Sequence, residues 1–307
     1  MKNVIVTGAN GFIGSSLIKK LVAKNVNVVA LDISFRNSKL PESNWIKKIE
    51  IGLDNIEDLL KTIPKEKCDA FYHFAWAGVN GSEKGNPVIQ LKNAELTMNC
   101  ATVAKKLEVK KMLCSGTIAE RATESLGNLD KTNGGMLYGV AKHATHLMLE
   151  TYCKNIGQDF VWMQFSNIYG PSNKTGNLVS YTITELEKGE EALFGPAMQP
   201  YDFIYIEDLI EAVIRLGENE TKENCYFIGS GKPRILRDYL CEIGKLCGKE
   251  DLIKIGARQD DGIKYSLDMF DTTPLIKDIG KYITKNFTEG IKYTLEHSCN
   301  SEIMPIE

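Results

Sequence analysis

The sequence predicts an α/β fold with a doubly wound parallel sheet. Strand-type and helix-type segments alternate from the N-terminus to residue 165, and a glycine-rich turn follows the first strand. Strands that alternate with helices form βαβ units, in which the strands are parallel and helices cover both faces of the sheet. Ligands of such sheets bind beyond the carboxyl ends of the strands, so we expect functional residues directly after strands.

The first unit, residues 1–32, carries the clearest signal. The β-branched run Val4-Ile-Val is typical of a buried strand, and Gly8-Ala-Asn-Gly11-Phe-Ile-Gly14 opens a segment with apolar residues at helical spacing. Glycines permit a tight turn and a close approach of phosphates, and a helix N-terminus favours negative charge. The unit predicts dinucleotide binding on a Rossmann-type fold. A glycine turn without a ligand is the alternative.

The second strand-type run ends at Asp32. A carboxylate there accepts hydrogen bonds from both hydroxyls of an adenosine ribose and repels a 2′-phosphate, so Asp32 predicts NAD rather than NADP. Arg36 lies four residues further on and would pair with a 2′-phosphate. NADP therefore stays open.

Composition narrows the class of protein. The chain has 307 residues, 43% hydrophobic and 25% charged, with a formal net charge of −3. A slightly negative net charge does not indicate nucleic-acid binding. No apolar run approaches the ~18 residues that span a membrane. A strand is predicted from the N-terminus onward, so we expect no signal peptide. The eight cysteines form no Cys-x-x-Cys pair, and His143 and His146 lack further ligands, so we expect reduced thiols, no metal and a cytoplasmic location.

The remaining elements follow from apolar periodicity and turn residues. Predicted strands are 4–6, 26–31, 49–53, 70–77, 111–115, 160–165, 190–194, 201–206 and 226–228. One predicted helix follows the glycine turn, and the others span 55–62, 88–108, 138–152, 177–187, 208–216, 236–247 and 288–297. Asp208 is predicted to cap the helix at 208–216. Segments 34–43, 78–87 and 116–135 are predicted to be loops or irregular, and 166–171 a turn.

A second constellation lies in Tyr138-Gly-Val-Ala-Lys142. Residues at i and i+4 share one face of a helix, and a lysine ammonium lowers the pKa of a nearby phenol from its usual ~10. Such a tyrosine takes a proton from an alcohol or gives one to a carbonyl near neutral pH. Thr117 follows a predicted strand and offers a hydroxyl to the same substrate oxygen. An amphipathic surface pair is the alternative.

Together these motifs resemble the extended branch of the short-chain dehydrogenase/reductase superfamily, the NAD-dependent epimerase/dehydratase family of nucleotide-sugar enzymes. The likeness extends over nearly the whole chain. The resemblance implies NAD as cofactor, a nucleoside-diphosphate sugar as substrate, and Thr117, Tyr138 and Lys142 as the catalytic set. It also implies that the helices around 88–107 and 138–152 pair into a homodimer interface.

The resemblance assigns further residues by motif. Cofactor contacts are implied for Gly8, Asn10, Gly11, Phe12, Ile13, Gly14, Asp32, Arg36, Asp54, Phe74, Ala75, Trp76, Asn93, Ser115, Tyr138, Lys142 and Ser166. Substrate contacts are implied for Trp76, Thr117, Asn167, Asn177, Leu178, Tyr201, Arg258 and Asp261.

Five of these residues also have a purely structural interpretation. Asn167 and Asn177 are also ordinary turn residues, and Arg258 is also compatible with a solvated surface charge. Trp76 is either a pocket wall or part of the core. Asp54 either contacts adenine or caps a helix.

The departures from the family pattern are informative. Tyr201 stands where the family has an arginine that pairs with a substrate phosphate, and a tyrosine makes no charge-assisted bidentate contact. Ile118-Ala119 follows Thr117 in place of the Asp-Glu pair that dehydratases use, which disfavours water elimination. Glu120-Arg121 replaces the usual Tyr-Gly, so these two either touch the sugar or pair with each other.

The prediction is therefore a nucleotide-sugar 4-epimerase or 4-keto-sugar oxidoreductase, with a Rossmann domain at 1–166 plus about 201–229 and a substrate lobe at 167–200 and 230–307. An NADPH-dependent 4-keto-6-deoxysugar reductase is the alternative. A non-catalytic NAD(P)-sensing or RNA-binding relative fits less well, because the catalytic set is intact.

Overall fold

The computed structural model describes residues 1–128, 134–173, 177–260 and 262–298. The strands are β1 Asn3–Thr7, β2 Asn27–Asp32, β3 Ile46–Glu50, β4 Ala70–His73, β5 Lys111–Thr117, β6 Phe160–Phe165, β7 Asn167–Tyr169, β8 Ala192–Leu193, β9 Pro200–Tyr201, β10 Phe203–Tyr205, β11 Cys225–Ile228, β12 Arg234–Ile235 and β13 Ile253–Lys254. The helices are α1 Phe12–Ala23, α2 Ile56–Thr62, α3 Pro87–Lys106, α4 Gly134–Ile156, α5 Leu178–Lys188, α6 Ile206–Glu218, α7 Leu236–Leu246, α8 Thr273–Ile279 and α9 Phe287–Ser298.

Strands β1 to β6 and β11 form one parallel sheet in the described chain, in the order β11-β6-β5-β4-β1-β2-β3. The chain builds outward from β1 through β2 to β3 and then restarts on the other side with β4. The order therefore reverses between β1 and β4, which is where a doubly wound sheet opens a ligand crevice. The predicted fold class is confirmed.

Helices cover both faces of this sheet. Helices α1 and α6 pack together on one face, while α2, α3 and α4 pack in sequence on the other. Each face has its own apolar core, centred on Leu17 and Val213 on one side and on Leu59 and Cys100 on the other. No helix in the described ranges is both long enough and apolar enough to cross a bilayer.

A buried polar chain holds the switch point together. The Nδ1 atom of His73, at the end of β4, lies 2.8 Å from the Thr7 hydroxyl on β1, and Nε2 lies 3.0 Å from the Thr97 hydroxyl on α3. All three side chains are buried, and burial lowers the pKa of His73 to about 3. A neutral imidazole therefore ties two strand ends and a helix together beside the crevice.

Helix ends are set by local chemistry. The Asn86 side chain accepts the N–H groups of Val88 and Ile89 before Pro87 opens α3. The Asn177 side chain caps α5 in the same way, and Gly189 ends that helix with a φ of 77°.

Beyond β6 the chain builds a smaller layer against the sheet. Its ladders are β7 with β10, β8 with β13 and β9 with β12. Strand β11 then returns to the large sheet beside β6. The division into a Rossmann domain and a substrate lobe stays a prediction.

Several local predictions were wrong. The third strand is Ile46–Glu50 rather than 49–53, because only Ile49 of this edge strand is buried and the adjacent Lys47 and Lys48 interrupt the apolar pattern. Residues 167–169 form β7 rather than a turn. Within the irregular segment, Ile118–Asn128 is 3-10 helical. Asp208 does not cap α6 but lies in its first turn and accepts the N–H groups of Thr284 and Lys285.

Candidate active site

Two cavities lie at the carboxyl edge of the sheet and share the walls Gly8, Gly11, Phe74 and Trp76. We call the first, which contains Tyr138, the tyrosine cavity; its volume is about 400 Å³. We call the second, which contains Asp32, the aspartate cavity; its volume is about 440 Å³. The shared walls make them two halves of one continuous cleft over the switch point.

Most predicted site residues line this cleft. The tyrosine cavity is lined by Gly8, Gly11, Phe12, Ile13, Gly14, Phe74, Trp76, Ser115, Thr117, Tyr138, Lys142, Ser166, Asn167 and Asn177 among others. The aspartate cavity is lined by Gly8, Asn10, Gly11, Asp32, Asp54, Phe74, Ala75, Trp76 and Asn93 among others. Thus residues from the ends of β1, β2, β4, β5 and β6 meet as the parallel topology requires.

The glycine turn is packed too closely for side chains. Gly8 has a φ of 65°, and a Cβ there would lie 2.7 Å from the backbone nitrogen of Ala75. A Cβ on Gly14 would lie 2.2 Å from the carbonyl oxygen of Gly8. The turn therefore brings the N-terminus of α1 directly onto the cleft, where its free N–H groups are suited to a pyrophosphate.

Asp32 closes the aspartate cavity. Its carboxylate accepts the backbone N–H of Asn10 at 2.9 Å and of Ile33 at 2.8 Å. These bonds fix the carboxylate beside the glycine turn while it still lines the cavity. Arg36 is exposed and is not part of either cavity wall.

Asp54 and Asn93 also line the aspartate cavity. Asp54 does not cap α2, because the Asn55 side chain accepts the N–H groups of Glu57 and Asp58. Asp54 instead pairs with Lys92 at 2.8 Å on the rim of the cavity. Asn93 is buried and exchanges two hydrogen bonds with the backbone of Ala77, which holds the exit from β4.

Lys142 is buried behind the tyrosine cavity. Its ammonium donates to the carbonyl oxygen of Ser115 at 2.5 Å and to the Ser115 hydroxyl at 3.3 Å, and it lies 3.6 Å from the centre of the Trp76 ring. Burial lowers the pKa of Lys142 to about 7, while the charge of Glu120 acts in the opposite direction.

The pKa of Tyr138 is raised in this structure rather than lowered as expected. Burial and the charge of Glu120 raise the pKa of Tyr138, and only a hydrogen bond with Thr117 lowers it. The reason is geometric, because the Lys142 ammonium is turned toward Ser115 and the Trp76 ring. Thr117, Tyr138 and Lys142 nevertheless line one cavity.

Trp76 is a fixed wall rather than a loosely packed side chain. Its indole N–H donates to Oε1 of Gln90 at 2.9 Å, and Gln90 is buried and donates in turn to the carbonyl oxygen of Gly78. The indole edge meets the Tyr138 ring at 6.3 Å between centroids. Trp76 therefore lines both cavities, and its contact with cofactor or substrate stays a prediction.

Only some of the predicted substrate residues line the tyrosine cavity. Asn167 lines the tyrosine cavity, donates to the carbonyl oxygen of Asp202 at 3.1 Å and accepts the Tyr201 hydroxyl at 3.0 Å. Asn177 also lines it, but its side chain caps α5 and donates to the carbonyl oxygen of Ile168. Ser166 donates to the carbonyl oxygen of Asp202 at 2.7 Å.

Three further predicted substrate residues, Leu178, Tyr201 and Arg258, do not line the cavity. Leu178 begins α5, and the Tyr201 hydroxyl donates to Asn167, which lines the wall. Arg258 is exposed and donates to the Tyr181 hydroxyl at 2.9 Å. Asp261 lies outside the described residues.

Sequence reasoning missed Lys84, which lines the tyrosine cavity from the loop after β4. Its ammonium lies 5.6 Å from the centre of the Tyr138 ring, and burial lowers its pKa. The glycine-rich composition of 78–87 was the available signal, because loops after strands at a switch point carry ligand contacts.

Glu120 and Arg121 neither touch each other nor line the cleft. Glu120 is buried against Trp162 and Gln164, whereas Arg121 donates to Oε1 of Gln164 at 2.7 Å and to the carbonyl oxygen of Met269 at 2.6 Å. The prediction that these two residues pair with each other was therefore wrong, whereas their contact with a sugar stays a prediction.

The described residues offer no group of three or more metal-ligating side chains, and their seven cysteines are free thiols. Cys299 lies outside the described ranges.

Comparisons with known proteins agree with this geometry. The profile of the NAD dependent epimerase/dehydratase family matches residues 4–229. UDP-glucuronic acid decarboxylase 1 of Xenopus tropicalis is 24% identical to this chain, and the alignment covers 99% of this chain and 75% of that protein.

Two solved structures are similar across almost the whole chain. UDP-glucose 4-epimerase of Thermotoga maritima, solved with UDP-glucose, has a TM-score of 0.81 at 21% identity, covering 97% of this chain and 99% of that one. The dTDP-glucose 4,6-dehydratase of Bacillus anthracis, solved with NAD, has a TM-score of 0.82 at 18% identity, covering 98% of each chain. At these identities the two structures establish the shared fold.

Proposed function

Because the chain belongs to the NAD dependent epimerase/dehydratase family, we propose that it is a nucleotide-sugar 4-epimerase or 4-keto-sugar oxidoreductase. The observation that carries this proposal is the convergence of Thr117, Tyr138 and Lys142 on one cavity that continues into the glycine turn. When NAD is bound in this cleft, its nicotinamide would supply the hydride-transfer chemistry.

The cleft fits NAD. The glycine turn leaves a cradle that a Cβ at Gly8 or Gly14 would fill, and α1 begins at that cradle. Asp32 lines the aspartate cavity and would accept the hydroxyls of the adenosine ribose, while exposed Arg36 stands outside its wall. This arrangement supports NAD over NADP.

The catalytic residues have distinct tasks in this proposal. Tyr138 removes a proton from the sugar hydroxyl, and Thr117 holds the same oxygen by a hydrogen bond. Lys142 supplies the positive charge that favours phenolate and offers donors to the nicotinamide ribose. For this, the Lys142 ammonium must turn part of its donor capacity from Ser115 and the Trp76 ring toward the cavity.

The substrate proposal is a nucleoside-diphosphate sugar. Asn167 and Asn177 both lie in the wall of the tyrosine cavity, and both carry polar side chains. Tyr201 replaces the family arginine and orients Asn167 through its hydroxyl. Positive charge for the diphosphate then rests on Lys84 and Arg258, with Leu178 and Asp261 assigned to the same ligand by resemblance.

Within this proposal we favour an epimerase, since NAD that is held in the cleft is regenerated in each turnover. The purified protein, once denatured, is expected to release stoichiometric NAD, identified by mass spectrometry. A cleft that is purified empty and binds NADPH more tightly than NADH would instead support the 4-keto-6-deoxysugar reductase.

A homodimer is part of the proposal. Apolar side chains stand exposed on α3 and α4, with exposures of 74% for Val88, 71% for Leu91 and 51% for Leu147. These two helices pack side by side, so their outer faces form one apolar surface of the kind that pairs with a second copy. Light scattering at micromolar concentration should give twice the mass of the chain, and Leu91→Glu should give monomers. A wild-type monomer would refute the dimer.

A further inference from the structure

The Glu120 carboxylate is surrounded by hydrogen-bond donors. Its side chain is fully buried, and Oε1 accepts the backbone N–H of Thr117 at 2.6 Å. Oε2 accepts the indole N–H of Trp162 at 2.9 Å and the amide of Gln164 at 3.0 Å. Burial raises the pKa of Glu120, whereas these hydrogen bonds and the charge of Lys142 act in the opposite direction and favour the ionised form.

The surrounding backbone is shaped around this carboxylate. Strand register places Trp162 opposite Cys114 and Gln164 opposite Gly116, so both donors project from the same face of β6. A Cβ at Gly116 would lie 2.3 Å from Nε1 of Trp162 and 2.6 Å from Oε1 of Glu120. The glycine between Ser115 and Thr117 is therefore required by the contact between Glu120 and Trp162.

A buried carboxylate requires a positively charged partner. Among the titratable groups that face Glu120, three are neutral near pH 7 and two are positively charged. His146 on α4 has Nδ1 at 4.0 Å from Oε2, but burial lowers its pKa to about 4, so it is neutral near pH 7. Burial raises the pKa of Cys225 on β11 to about 12 and also raises that of Tyr138 on α4, so both are neutral.

The two positive groups are Arg121 and Lys142. Arg121 is directed to Gln164 and to the carbonyl oxygen of Met269, and so reaches Glu120 only through the Gln164 amide. Lys142 is buried on α4, and its ammonium lies 5.8 Å from the centre of the Trp162 ring, whose indole N–H donates to Glu120. The charge of Glu120 favours the charged form of this ammonium. Glu120 is therefore the acidic group that matches the buried lysine.

We propose that Glu120 is a positioning residue for the catalytic set, fixing Thr117 through its backbone N–H and serving as the counter-charge of the Lys142 ammonium. The proposal rests on the proposed function, in which Thr117 and Lys142 act in catalysis. Glu120 thus has two roles, a geometric one toward Thr117 and an electrostatic one toward Lys142, and different substitutions separate them.

The electrostatic role, which is the effect of the Glu120 charge on protonation of Lys142, is tested in the protein without added ligand. Competitive labelling of amines with acetic anhydride across a pH series, read by mass spectrometry of the peptide that contains Lys142, gives the protonation midpoint of that amine. Glu120→Gln removes the negative charge, so the midpoint should fall by about 1 pH unit or more. Asp208→Asn is the matched control, since Asp208 is an equally buried carboxylate that binds Thr284 and Lys285 far from the cleft.

Glu120→Asp tests the geometric role separately, because it keeps the negative charge on a side chain that is one methylene shorter. The Lys142 midpoint should stay at its wild-type value, while kcat should fall about tenfold or more with the best substrate among UDP-glucose, UDP-N-acetylglucosamine and UDP-glucuronic acid. If Glu120→Gln does not fold, this variant still decides the geometric part.

An unchanged Lys142 midpoint in Glu120→Gln, or full kcat in Glu120→Asp, would overturn the proposal. Neither result bears on the proposed function, which fails separately if the Tyr138 hydroxyl proves dispensable.

Discussion

Tyr138→Phe lowers kcat by about 10²- to 10⁴-fold, the usual contribution of a positioned general acid or base. The substitution removes one hydroxyl from a half-buried ring that packs against Trp76, so thermal stability and NAD affinity should stay close to wild type. Turnover of the best UDP-sugar substrate, measured alongside NAD binding by calorimetry, checks both parts.

Tyr152→Phe is the matched control for this substitution. Tyr152 lies on the same helix, and its hydroxyl pairs with the Thr102 hydroxyl at 2.8 Å, outside the cleft. It should retain wild-type turnover with a small loss of stability, of about 1 kcal/mol. Equal losses of turnover in the two variants would mean that the helix, rather than the Tyr138 hydroxyl, matters.

Gly8→Ala should abolish NAD binding and destabilise the fold by about 2 to 4 kcal/mol, which combines left-handed backbone strain with overpacking. The new Cβ would lie 2.7 Å from the nitrogen of Ala75 and 2.8 Å from the carbonyl carbon of Phe74. Either β1 or the exit from β4 must then move, and both carry the walls of the cleft. Denaturant unfolding and calorimetry with NAD measure the two effects.

Gly189→Ala isolates the backbone strain from the crowding. Gly189 has a φ of 77°, but a Cβ there would meet nothing within 4 Å. The variant should lose only about 1 kcal/mol and bind NAD as the wild type does. NAD binding by Gly8→Ala at wild-type affinity would contradict the assigned cradle.

The sequence predicted well those features that depend on short stretches of chain. The strand, glycine turn, helix and Asp32 lie within 32 residues, and each is dictated by local composition. Tyr138 and Lys142 lie one helical turn apart, so their shared face followed from helix geometry alone. The parallel order of the sheet then brought the strand ends together.

What the sequence could not predict depends on residues distant along the chain. Glu120 meets Trp162 and Gln164 across more than 40 residues, and only the register of β5 with β6 brings them together. The pKa of Tyr138 could not be derived from spacing, because it is set by burial and by that same carboxylate. The third strand was misplaced because edge strands bury only one face.

The Lys142 pKa has a consequence for pH dependence. Its folded-state pKa of about 7 lies below the usual ~10.4 of a lysine. As pH rises through 7, the buried amine loses its proton and no longer favours phenolate at Tyr138. In the unfolded chain the amine keeps its proton up to its usual pKa, so burial of Lys142 costs stability below that value, and this cost shrinks as pH rises from 7 toward 10.

The central claim is that Tyr138 assists transfer of hydride from the sugar to the nicotinamide. A UDP-sugar that the protein converts, deuterated at C4, is mixed with the NAD-loaded protein, which is then denatured during turnover. The account predicts deuterium on the nicotinamide ring of the released cofactor with the wild type and almost none with Tyr138→Phe. Conversion of the sugar without any deuterium on the cofactor would contradict it.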